Sequence, residues 1–191
     1  MIRLAPKLSE KHVHPPPIWG KIKVKLATQV FSHSVSSAMK TYEAVNDLPP
    51  SAKQTALFCE FMNSIFDVLN SNTQFSLSPL KTALNPSSNS HSYEFIEKAI
   101  CWLQSWKICD KKGEIINHRF RFPEGLCLAL RVAMLLSHEL AHNYGFTYFM
   151  TRRMCTDSLE GFFCIIRSKG GFNSYPTCYG FQCAFKQAVM N

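Results

Sequence analysis

The chain is 191 residues long, 46% apolar and 18% charged, with 21 Lys and Arg against 13 Asp and Glu, a net charge of +8. That length suits one sizeable core, or a core with an appendage, and excludes a large multidomain enzyme. With 13% aromatics and a mean hydropathy of −0.08 the composition excludes wholesale disorder, and its cationic excess suits polyanions without naming one.

In chain order, Met1 to Gly20 reads as an extended entry, held polyproline-like by Pro15-Pro16-Pro17 and lacking the apolar run of a secretory signal. Val24, Ala27, Phe31, Val35 and Ala38 recur at helical intervals and predict one helix from Lys21 to about Tyr42. A second begins near Ser51, whose hydroxyl suits an N-cap, and repeats through Phe58, Phe61, Met62, Ile65 and Val68 to Asn70. Asn70 to Ser92, rich in Ser, Asn and Pro, reads as a loop or poorly ordered insertion. Tyr93, Ile96, Ile100 and Leu103 set a third helix, with Trp102 and Trp106 as core residues and a break at Lys111-Lys112-Gly113. Pro123, as a first helical residue, opens a buried helix over Glu124 to Asn143, which Gly145 stops. The most apolar stretch, Gly125 to Ser137, carries Arg131 and is shorter than the ~20 apolar residues of a membrane span, so no membrane partner is expected. Asp157 begins another helix, with Glu160 also in its first turn, where acids are favoured. The last runs roughly from Gly180 to Met190, beyond Gly170-Gly171 and Pro176. No alternating run of strand length stands out, so the predicted class is mainly α.

His138-Glu139-Leu140-Ala141-His142 is the motif whose spacing carries chemistry. Two histidines four apart share a helix face, and with Glu139 as general base they would make a zinc metallopeptidase site. Tyr148 stands where a third histidine belongs in one such family, and Glu160 is the distant alternative ligand. With no edge strand for a substrate, the two histidines read better as the polar side of a buried helix. The eight cysteines include no C-x-x-C pair and read as free thiols of a reducing compartment. No phosphate-binding glycine loop, dinucleotide fingerprint or hydrolase nucleophile is present.

Three blocks in order resemble the P element transposase family, the animal transposases often joined to a THAP DNA-binding domain. The first is Leu4-Ala5-Pro6-Lys7-Leu8-Ser9-Glu10-Lys11-His12 followed by Lys21 to Ser32, which looks like the opening of that family's GTP-binding insertion domain. The second, Phe66-Asp67-Val68-Leu69-Asn70-Ser71, is similar to the F-D-x-x-N-S box of the same domain. The third runs from Thr151-Arg152-Arg153 through Asp157-Ser158-Leu159-Glu160-Gly161 to Pro176-Thr177 and resembles the return into the RNase H-like core. The resemblance implies a helical GTP-binding insertion domain over 1–150, with 70–92 a loop, and a C-terminal remnant of an incomplete RNase H-like core over 151–191.

It also implies roles. Phe66 would stack on guanine, Asp67 would accept from guanine N1–H and N2–H₂, and Asn70, one turn on, would reach the same ligand. Lys23 and the Val24 backbone would meet phosphates, Ser32 is a further contact, and Asp157 a second acidic one. Glu160 would be the last acid of a D-D-E triad that holds two Mg²⁺ for phosphoryl transfer on DNA. Read from the residues alone, Phe66 is instead core, Asp67 a solvated helix residue, Asn70 a C-cap and Asp157 an N-cap. The family's first two acids precede the insertion, so the expectation is a truncated or domesticated, non-catalytic fragment. GTP, transposon DNA and full-length transposase are its expected partners, and the nucleus its expected location. A remnant that joins transposase without binding nucleotide is the alternative.

Overall fold

The computed structural model describes residues 4–14, 24–86, 91–173 and 175–190. The polyproline run and Lys23 lie outside the described residues. Helical periodicity is realised along the chain, with one break inside the stretch where a single helix was expected. Helix α1 (Glu10–Val13) is one turn, tied by the His12 imidazole to Gln29 at 2.9 Å. Gln29 belongs to α2 (Val24–Val30), and α3 (His33–Ala44) follows separately. Ser32 between them is extended, at φ −86° and ψ 154°. Its hydroxyl donates to the Gln29 carbonyl at 2.8 Å, so the side chain closes α2 while its backbone opens α3. Apolar spacing is insensitive to such a break, because Phe31 still packs on Phe58, ring centres 5.9 Å apart.

Helix α4 (Ala52–Leu69) returns antiparallel along α3. Ser51 takes the N-cap place without a side-chain capping bond. Val68 and Ile65 face inward and meet Ile96, Ile100 and Leu103 of α5 (His91–Gln104) and Leu130 and Ala133 of α6 (Phe122–Tyr144). Every one of these residues is buried, at spacings of three, four and seven, the rows that let helices interlock. Phe58, Phe61, Trp102 and Trp106 pack beside this core, with Phe61 and Trp102 ring centres 4.3 Å apart.

Two boundaries differ from the sequence expectation. Helix α5 ends at Gln104, seven residues before Lys111, because side chains give the following backbone other partners. Asn117 donates to the Trp106 carbonyl at 2.7 Å and accepts from the Ile108 N–H at 2.6 Å. The Asp110 carboxylate accepts from the amides of Lys112 and Glu114, turning the chain at Gly113, whose φ is +85°. Helix α6 begins at Phe122, which puts Pro123 second. It stops at Gly145 as its sequence predicts, with φ +69° and the Phe146 N–H reaching the Leu140 carbonyl.

Between α4 and α5 the chain is irregular but anchored. Leu84 is fully buried and exchanges two backbone bonds with Phe149, both 2.8 Å. Ser71 and Thr151 form a buried polar knot: the Thr151 hydroxyl donates to the Val68 carbonyl at 2.5 Å and accepts from the Ser71 N–H at 3.0 Å. A single 3-10 turn, Pro79–Lys81, sits within this stretch.

The chain divides into two compact units, Met1–Arg152 and Arg153–Asn191. The second is a helical hairpin of α7 (Asp157–Lys169) and α8 (Cys178–Val189). Phe162 and Phe185 meet edge to face at 5.6 Å, and Thr177 caps α8 by accepting from the Gly180 N–H at 3.1 Å. Among the described residues the structure is helical, joined only by isolated bridges, so the mainly α class holds. All eight cysteines are unpaired thiols.

Candidate nucleotide-binding site

The α3–α4 hairpin sets the register of the site. Lys40 pairs with Glu60 at 2.5 Å. Two turns back along α3 and two turns on along α4, antiparallel packing brings His33 opposite Asp67, whose carboxyl feels the imidazole. The N-terminus of α3 and the last turn of α4 therefore share one end of the hairpin. Ser32 makes no side-chain capping bond there, so the first amides of α3 stay available to an anion.

On α4, Phe66 is 40% exposed, against the reading that places it in the core. Asp67 is not a solvated residue either, since its side chain is only 17% exposed. Its Oδ2 accepts from Asn63 Nδ2 at 2.9 Å, and Lys81 Nζ stands 3.7 Å from the same oxygen. Burial pushes the Asp67 carboxyl above the ordinary carboxylate range; the Lys81 charge, the bond from Asn63 and the more distant His33 pull part of that back. Asn70 is the C-cap of α4, as its residue type alone predicts, and lies one turn from Phe66 on the same face. Phe66, Asp67 and Asn70 are thus brought together, with Ser32 at the same end. Val24 is not drawn in with Ser32: it is 68% exposed at the opposite end of α2, about 10 Å along the helix.

A cavity of about 370 Å³ opens elsewhere, lined by Leu103, Trp106, Cys127 and Arg131 at the ends of α5 and α6.

In the second unit, Thr156 rather than Asp157 is the N-cap of α7. Asp157 and Glu160 occupy the first turn, both exposed, and the Thr156 hydroxyl donates to Glu160 Oε1 at 3.0 Å. Two Mg²⁺ ions need several bridging oxygens, and among the described residues no three His, Cys, Asp or Glu side chains assemble into a metal-holding group. Glu160 by itself does not fit such a centre. The same holds for zinc at His138 and His142. His138 stacks near Tyr93, ring centres 5.0 Å apart, and His142 Nδ1 lies 2.9 Å from Asn143 Oδ1.

Sequence reasoning missed Asn63, Lys81 and His33. The first was detectable, because Asn and Asp four apart on a helix pair through their side chains. Lys81 and His33 reach Asp67 only through the tertiary fold.

Residues 1–83 match the family described as the TNP-like GTP-binding insertion domain, and residues 153–186 match the TNP-like RNase H C-terminal domain. The chain is 28% identical over 198 residues to the Transposable element P transposase of Drosophila melanogaster, covering 96% of this chain and 24% of that protein. It is 29% identical over 168 residues to the human DNA transposase THAP9, covering 86% of this chain and 18% of that one. The chain therefore spans about a quarter or less of the length of the curated relatives it matches. The Drosophila P element transposase strand transfer complex shares its fold, with a TM-score of 0.81 at 23% identity, over 99% of this chain and 41% of that one. With two family segments matched in order and a helical fold shared almost end to end, the chain belongs to the P element-type transposase family.

Proposed function

We propose that the first unit binds GTP at the end of the α3–α4 hairpin, as the insertion domain of a P element-type transposase. The carrying observation is an exposed aromatic, Phe66, next to a largely buried acceptor-only carboxylate, Asp67. An open ring offers a purine a stacking surface. A carboxylate beside it accepts from N1–H and N2–H₂, which guanine presents together and adenine does not. Asn70 adds an amide within the same turn, and the α3 amides beside Ser32 supply donors for phosphate. The family resemblance adds Lys23 and the Val24 backbone as further proposed phosphate contacts.

The reading is of a binding module, with no catalytic step assigned to Glu160. Its partners are transposon DNA, which the +8 charge suits, and full-length transposase, and its place is the nucleus. Association with transposase also has support in the second unit. That hairpin leaves Leu159, Ile165 and Phe185 exposed, and so short a piece buries little core by itself.

Titration calorimetry of the purified chain with GTP and with ATP tests the nucleotide reading. GTP is expected to bind at least about tenfold tighter, the discrimination that roughly 1.4 kcal/mol of hydrogen bonding gives. Asp67→Ala should erase the preference while the helix persists, since Ala is the better helix former. Equal affinities in the wild type, or selectivity that survives Asp67→Ala, would refute it.

A further inference from the structure

Lys81 belongs to the stretch whose composition reads as a mere loop, yet the fold places its ammonium against the proposed guanine-reading carboxylate. The 3-10 turn Pro79–Lys81 packs on α4, and Thr82 behind it is fixed by bonds to the Pro79 carbonyl, from its hydroxyl at 2.5 Å and its N–H at 3.3 Å. Lys81 Nζ approaches Asp67 Oδ2 to 3.7 Å while Asn63 Nδ2 donates to that same oxygen at 2.9 Å. Both engage a single oxygen. Oδ1 has no bond to any described residue, which leaves its lone pairs for a ligand.

We infer that Lys81 is a positioning residue for base recognition: with Asn63 it holds Oδ2 of Asp67, keeping the carboxylate charged and leaving Oδ1 for the N1–H and N2–H₂ donors of guanine. The inference rests on the proposed GTP site. The groups facing this carboxyl are Lys81 from the 3-10 turn, Asn63 from α4 itself and His33 from α3. Only a charged Asp67 accepts from both guanine donors, because a protonated carboxyl turns one acceptor into a donor. Binding should therefore fail on acidification as Asp67 takes up a proton. Burial already pushes that event above the ordinary carboxylate range, with Lys81 the largest opposing influence. Removing the Lys81 charge moves the failure to still higher pH.

The experiment follows two readouts on the full chain and on Lys81→Gln and Lys81→Arg: the Asp67 carboxyl ¹³C shift against pH without nucleotide, and GTP affinity against pH. In Lys81→Gln the carboxyl should titrate at higher pH. GTP affinity in the acidic range should fall about threefold, the size that a partly exposed ion pair supports. Lys81→Arg should retain the wild-type profile. A carboxyl titration unmoved in Lys81→Gln overturns the inference, whatever GTP does. A titration that moves in a chain showing no preference for GTP overturns the nucleotide site instead, and with it the presentation to guanine.

Discussion

Asp67 is the residue on which chemistry and stability meet. Its carboxyl titrates higher in the folded chain than in the unfolded one, because burial disfavours the charge by more than Lys81, Asn63 and His33 restore. The native state then holds that proton more tightly. Its stabilising effect is complete at acidic pH, below the unfolded value, and is lost as pH rises through the folded value. At neutral pH the wild type carries the cost of a partly desolvated charge. Asp67→Asn removes the charge and keeps an oxygen for the Asn63 amide. The variant should melt about 2 °C above wild type at neutral pH, with the gap closing as pH falls into the raised carboxylate range; thermal melts across pH check this. A constant gap would contradict the assigned direction. The residues of this site were legible to different degrees. Phe66, Asp67 and Asn70 stand out through their resemblance to a family box, whereas their plain residue types suggest core, solvent and cap. Of those three suggestions only the cap agrees with the structure. Lys81 and His33 were illegible, because nothing local connects them to position 67.

Among the elements, α4 has the most work to do: it carries the trio at one end, faces the core along its length and is anchored at its last turn. That anchor is the Ser71–Thr151 knot, in which the Thr151 hydroxyl serves the Val68 carbonyl, the Ser71 hydroxyl and the Ser71 N–H. Thr151→Val preserves shape and leaves these buried groups without their partner. The expected cost is about 2–3 kcal/mol, read from the denaturation midpoint at unchanged slope. GTP binding should weaken as well, because the turn after Asp67 loses its fixation. A neutral substitution would show that the knot does not hold α4. Helix existence was readable from apolar spacing in every long segment, since Ile65, Val68, Ile96 and Leu130 repeat with the period of the faces they bury. Helix ends were less so. Asn117 stopping α5 early and Ser32 dividing α2 from α3 act through side-chain bonds that periodicity does not contain.

At the scale of the whole molecule, the first unit builds its own core from α4, α5 and α6, while the second is a hairpin with few buried residues, Ile166 and Ala184 among them. The matched segments follow the same division, insertion domain first and RNase H C-terminal domain last. Among the described residues no helix is long and apolar enough to cross a membrane. Phe66, Asp67, Asn70 and Ser32, the proposed nucleotide contacts, all belong to the first unit. A crystal structure of the chain grown with GTP tests this account most directly. It should show the base against the Phe66 ring, with N1 and N2 within about 3 Å of the Asp67 carboxylate, the reach of a charge-assisted hydrogen bond. A nucleotide seated elsewhere on the protein, or none at millimolar GTP, would contradict it.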